Sequence, residues 1–157
     1  METVIFLGKR RTIKYVVNPD VKKANVREEQ DFLIVTFYDI SALDLQKTLI
    51  KFYKQSAKKH FENRLRYFQP MFKKKFKTFT VEANDARWGS CNSNGELTFH
   101  WKLMMYPEEA IDYVIIHELC HLEHMNHDRS FWRLVGKHCP NYKELMPILG
   151  TEKTRDL

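Results

Sequence analysis

The order of apolar and polar positions divides the chain into stretches of different period. Between Val4 and Tyr38, short runs of β-branched and aromatic residues, Thr12 to Val17 and Phe32 to Tyr38, are separated by Asn18-Pro19-Asp20 and the charged stretch Arg27 to Asp31. Turn residues between β-rich runs predict a small antiparallel meander. From Ser41 the period changes. Leu45, Leu49, Phe52, Ala57, Phe61, Leu65 and Phe68 recur at helical spacing, which predicts a helix from a Ser41 N-cap to about Tyr67, with Pro70 at or just past its end. Phe76 to Ala83 then reads as a strand, and Cys91 to Glu96 as the turn of a hairpin joining Arg87–Ser90 to Leu97–Trp101.

Pro107 followed by Glu108 and Glu109 makes a good first helical turn, with carboxylates at the positive end of the dipole, and that helix should run through His121. Asp128 can cap a further helix carrying Phe131, Trp132, Val135 and Gly136, closed by Pro140, and a short last helix is expected from Tyr142 to Leu149. No repeat or linker divides the chain. The expected class is α+β, one domain over residues 1–157 with a β-rich portion at 1–40, a basic amphipathic helix at 41–69 and a catalytic core at 76–149.

Composition narrows the picture. With 43% hydrophobic and 13% aromatic residues, 157 residues can bury a core, and a disordered chain is excluded. Apolar runs such as Phe32–Val35 and Tyr113–Ile116 fall far below the roughly 20 residues that span a bilayer. Val4 to Leu7 is too short for a secretory h-region, so no membrane association is expected and the expected location is cytoplasmic. Cys91, Cys120 and Cys139 are odd in number and in no CxxC spacing, which argues against a disulfide scaffold or a thiolate zinc site. The net charge of +6 is unevenly spread, because residues 45 to 77 hold eleven lysines and arginines against Glu62 alone.

The chemistry concentrates in His117-Glu118-Leu119-Cys120-His121. Residues four apart share a helix face, so His117 and His121 can aim at one ion, with Glu118 beside them able to take a proton without ligating. Cys120 points away from that face and reads as a small buried hydrophobe. The pattern can arise by chance on an exposed helix, but Tyr113–Ile116 would bury this one, and buried histidine and glutamate need partners that a metal provides. The third ligand has three candidates. His127 requires the helix to stop soon after His121 and the chain to turn back, for which Asn126 is a suitable residue. Glu144 could be delivered by the last helix. His124 lies about 10.5 Å along a straight helix from His117, too far to share one ion easily.

The implied cofactor is one zinc ion, although nitrogen-rich sites also accept other divalent metals. Zinc brings the pKa of a water toward roughly 7, Glu118 takes the proton, and a polarised amide carbonyl is attacked. Tyr142, His138, Arg87 or His100 could donate to the oxyanion. Asp85, Asp112, Glu123 and Asp128 are possible acceptors for the imidazole N–H groups.

Arg87-Trp88-Gly89-Ser90-Cys91, the histidine motif with Leu122, then Asn126-His127 and Phe131-Trp132, closely resemble the YgjP-like metallopeptidase family, a relative of the SprT-like zincins. The resemblance is strongest from about Arg64 to Glu144. It implies a zincin-like fold, a small antiparallel sheet packed on an active-site helix, with His117, His121 and His127 as metal ligands, Glu118 as the catalytic residue and a protein or peptide substrate. Zincins are similar in laying substrate along a sheet edge, and Arg87, Trp88, Gly89 and Ser90 are the candidate substrate-binding residues, Gly89 because it allows close backbone approach. Equally, Trp88 and Gly89 pack the hairpin onto the helix. His124 stands where metzincins have glycine, so the chain is not assigned to that group.

An alternative function is nucleic-acid binding by the stripe Lys47, Lys51, Lys54 and Lys58, with a structural or weakly catalytic metal site. A solvated helix face explains the same lysines and is preferred, since lysine is a good helix former on exposed faces.

Overall fold

In a computed structural model, which describes residues 2–150, the chain forms two small sheets and four helices. Residues 151–157 of the expected domain, like Met1, lie outside the described part. Strands β1 (Thr3–Phe6), β2 (Lys9–Val17), β3 (Asn25–Glu29) and β4 (Phe32–Phe37) make the first sheet, in the order β1-β2-β4-β3. The β1–β2 turn takes positive φ at Leu7 (52°) and Gly8 (76°). A Cβ on Gly8 would stand 2.9 Å from Pro107, so glycine is what lets this turn sit against the start of the second helix.

The meander expected here is corrected. β1 and β2 pair antiparallel, as do β3 and β4, but β2 and β4 run parallel in the register Thr12↔Phe32 to Val17↔Phe37. Both β2 and β4 are rich in Val, Ile and aromatic residues, and pairing them joins Ile13, Val35 and Phe37 in one apolar cluster, whereas β3 is polar and takes the edge.

Helix α1 (Leu45–Phe68) follows. The expected Ser41 N-cap is also corrected: Asp44 caps the helix by accepting from Lys47 N–H, while Ser41 lies in a preceding 3-10 turn where its N–H bonds Asp39. Gln69–Met71 continue as a 3-10 turn containing Pro70. Tyr53, Ala57, Phe61, Leu65 and Phe68 form the buried stripe of α1, which lies against α2 (Glu108–His121), β3 and β5 (Thr78–Glu82). Tyr113, Phe61, Phe99, Phe131, Leu65, Ile111 and Ile115 fill the shared core.

The second sheet contains β5, β6 (Gly89–Cys91) and β7 (Glu96–His100) in the order β5-β7-β6. β6 and β7 are the expected antiparallel hairpin, but β5 joins β7 in parallel, so this sheet is mixed rather than antiparallel. The reason is topological: between β5 and β7 the chain first lays down β6 on the far side of β7. β6 therefore holds the outer edge and lies against α2. Helices α3 (Arg129–His138) and α4 (Tyr142–Leu145), with a closing 3-10 turn over Met146–Leu149, complete the architecture. Among the described residues no helix is long and apolar enough to cross a membrane.

Candidate metal centre

Every residue of α2 except Glu108, Glu109 and Asp112 is buried, including His117, Glu118 and His121. A helix apolar nearly all round belongs inside the protein, and its polar residues there need an account. The helix ends at His121, Leu122 to Asn126 turn the chain, and Asp128 caps α3 by accepting from Phe131 N–H at 2.9 Å. That stop and return carry the exposed His127 back over α2.

The result is a convergence of three ring nitrogens. His127 Nε2 stands 3.0 Å from His121 Nε2 and 3.3 Å from His117 Nε2. Ligand nitrogens about 2.0–2.1 Å from a tetrahedral zinc are themselves about 3.3 Å apart, so the spacing suits one ion. The tautomers agree. His121 Nδ1–H donates to the His124 carbonyl at 3.0 Å, which leaves the Nε2 lone pair facing the cluster. The Tyr113 hydroxyl lies 3.2 Å from His117 Nδ1 and can hold that ring in the same sense.

Glu118 adjoins this cluster with both carboxylate oxygens buried and without a hydrogen-bond partner. Burial raises its pKa to about 8, opposed by the nearby Arg87 cation and reinforced by Glu82. Gly89 makes the space: a Cβ there would lie 3.0 Å from the Thr98 carbonyl and 3.2 Å from Glu118 Oε2. Cys91, on the same face of β6, has its thiol pushed up to about 12 by burial and by the charge of Glu118.

The backbone of β6 leaves one side open. Trp88 accepts from His100 N–H at 2.8 Å and Asn92 donates to Glu96 at 3.2 Å, so by the antiparallel alternation Gly89 and Cys91 turn their N–H and C=O groups away from β7. Among the described residues no strand pairs with that edge. Ser90 points to the other face, hydrogen-bonded to Thr98, where a cavity of about 360 Å³ is lined by Arg87, Ser90, Thr98 and Thr80. Trp88 is core: it is buried, its indole N–H donates to the Leu149 carbonyl, and its ring packs edge-on against Tyr106. Arg87 pairs with Glu82 at 3.1 Å.

Other expected residues fall elsewhere. Glu144 is exposed on α4 and outside the cluster, and His124 contributes its carbonyl rather than its ring. The four proposed N–H acceptors are engaged differently: Asp85 faces His100, Asp112 holds Arg64 through two bonds of 2.8 and 2.9 Å, Glu123 accepts from Lys73 N–H, and Asp128 caps α3. Of the four oxyanion candidates, His138 packs at a tilt against Phe72 and His100 is tied to Asp85 and the Lys102 amide, while the charge of Arg87 acts on Glu118 and Tyr142 stacks on Trp132 next to His127. Lys47, Lys51, Lys54 and Lys58 are exposed on α1, apart from the cluster. Tyr113 and the His124 carbonyl were not anticipated from sequence. A tyrosine four residues before His117, on the same helix face, was the available signal; a carbonyl gives none.

A helix with paired histidines, packed beside the edge strand of a small mixed sheet, is a zincin-like arrangement, and the chain has that fold. The family model "YgjP-like, metallopeptidase domain" matches residues 1–151, and the chain belongs to that family. Among solved structures it is similar to the metallopeptidase zymogen abylysin of Pyrococcus abyssi, at 25% identity and a TM-score of 0.51, over 55% of this chain and 89% of that one. No curated protein matches it significantly.

Proposed function

We propose that the chain is a zinc-dependent peptidase in which His117, His121 and His127 hold the metal and Glu118 is the general base. The observation that carries this is the approach of His127 Nε2 to 3.0 Å from His121 Nε2 and 3.3 Å from His117 Nε2, all three ligand nitrogens lying within 4.8 Å of one another, a crowding of lone pairs that an ion relieves. Bound there, zinc supplies Lewis-acid polarisation of the carbonyl and makes a water acidic enough to attack near neutral pH. The chain's own residues do the rest. The buried Glu118 carboxylate, with no competing donor, accepts the water proton and returns it to the leaving nitrogen. Its raised pKa suits a group that must both take and give a proton near neutrality.

An extended peptide would lie against β6, exchanging hydrogen bonds with the outward backbone groups of Gly89 and Cys91. Gly89 brings that backbone close to Glu118, and the face carrying Ser90 and Arg87 would meet every second substrate side chain. Arg87, whose charge acts on Glu118, and Tyr142, stacked on Trp132, are the candidate donors to a developing oxyanion. The core linking Phe6 and Leu33 to α1 and α2 supports reading the chain as one catalytic unit.

The test is metal content by mass spectrometry on untagged protein purified without added metal, for the wild type and His127→Ala, with turnover of an unstructured protein substrate measured alongside. About one zinc per chain, largely lost in the variant together with turnover, is the expected result. A variant that keeps its zinc removes His127 from the ligand set, and a wild type that takes no zinc even when offered it removes the enzyme.

A further inference from the structure

The three imidazoles are held in place by different means. His117 has the Tyr113 hydroxyl and His121 the His124 carbonyl. His127 stands on an exposed loop, and among the described residues its contacts at hydrogen-bond distance are all through Nε2, to the other two histidines. What faces it instead is aromatic. Trp132, on the first turn of α3, stacks on His127 at 6.0 Å between centroids and 28° between planes, and meets His117 edge-on at 5.7 Å. Tyr142 of α4 stacks on Trp132 in turn, at 5.3 Å and 20°.

We propose that Trp132 is the positioning residue for His127, its indole face fixing the ring orientation that hydrogen bonds fix in the other two histidines. The proposal rests on the metal-binding reading above. A loop imidazole free to turn about two side-chain torsions loses that freedom on ligation, and a stacked face restricts it beforehand. Tyr142 braces the indole, so the orientation of a metal ligand is tied to α4. Phe131 also touches all three imidazoles, stacking on His121 at 4.4 Å, but it is fully buried in the core and its loss would be a packing defect. Trp132 is only half-buried, which makes its role separable from folding.

The experiment compares Trp132→Phe and Trp132→Leu with the wild type. Zinc affinity of the metal-free chains is measured by competition with a chromophoric chelator, the visible absorption of the cobalt(II) forms reports ligand geometry, and melting of the metal-free chains reports folding. Leucine keeps an apolar cover without a ring face, so Trp132→Leu should weaken zinc binding about 10–100-fold and alter the cobalt spectrum. Trp132→Phe should restore the spectrum and bind within about threefold of wild type. Equal affinity in the two variants, at any level, overturns the proposal. If wild type binds zinc and both variants match it, only the positioning role falls; if wild type binds none, the peptidase reading falls and takes this role with it.

Discussion

Helices α1 and α2 lie against each other and are both built around an apolar surface, but they treat their polar residues in opposite ways. α1 buries one stripe, from Tyr53 to Phe68, and leaves Lys47, Lys51, Lys54 and Lys58 in water. Each large apolar side chain buried there contributes roughly 1.5–3 kcal/mol, and Arg64, partly drawn into the interface, is paired with Asp112. α2 buries its whole circumference over its last turns and takes two histidines and a glutamate in with it. The lysines on α1 are placed where they cost little, although His60 on the same helix has a buried Nε2. The polar groups buried on α2 are placed where they cost most, a difference that the proposed metal site accounts for.

The largest effect is expected at Glu118. Glu118→Gln keeps the shape of the side chain and should retain the metal while lowering kcat/KM about 10²–10⁴-fold. In the metal-free chain the same substitution has a pH signature. The folded state holds the Glu118 proton up to about 8 while the unfolded chain releases it in the ordinary carboxylate range. Stability should therefore fall as pH rises through that window, and the Gln variant should not share the fall. Parallel melting curves for the two metal-free proteins from pH 5 to about 8 would refute the burial that distinguishes α2.

Phe61→Ala strikes the other helix in its buried stripe. It should cost about 3–5 kcal/mol in denaturant unfolding, yet leave zinc stoichiometry unchanged in the fraction that folds. A smaller loss is expected for Gly89→Ala, whose methyl group must displace Glu118 or the Thr98 carbonyl: about 1–3 kcal/mol of stability, together with reduced turnover at unchanged zinc content. Full turnover in that variant would remove the close contact between β6 and α2 from the mechanism. Least affected should be Lys51→Gln with Lys54→Gln, within about 0.5 kcal/mol of wild type in stability and equal in metal content. Steeply salt-dependent oligonucleotide binding by the wild type, lost in that double variant, would instead give the α1 face a ligand of its own.

The contrast also explains what could be read from the chain in advance. The stripe of α1, the Pro107 start of α2 and the Asp128 cap of α3 are local patterns, and local patterns survive folding. The parallel pairs β2–β4 and β5–β7 were not legible, because a strand's alternation says which face is buried and nothing about its neighbour's direction. Ser41 failed as a cap for a similar reason: Asp39, Ser41 and Asp44 are all cap-forming types, and only the intervening 3-10 turn decides between them. At the site, the three histidines that converge and Glu118 lie close in sequence and could be named. Gly89 comes close to Glu118 only through the β6 edge, and Trp88, adjacent to it, turned out to be core.

All three converging imidazoles lie between residues 117 and 127, on the end of one helix and the loop that follows it. An ion bound there closes one short stretch of chain and joins no distant elements. The core of Phe61, Leu65, Ile111 and Ile115 is complete without it. On the proposed ligand set, folding and metal loading become separate events, with the α2–α3 corner the last part of the chain to become rigid. Amide hydrogen exchange should then be slow in α1 before loading and slow at the α2–α3 corner only afterwards.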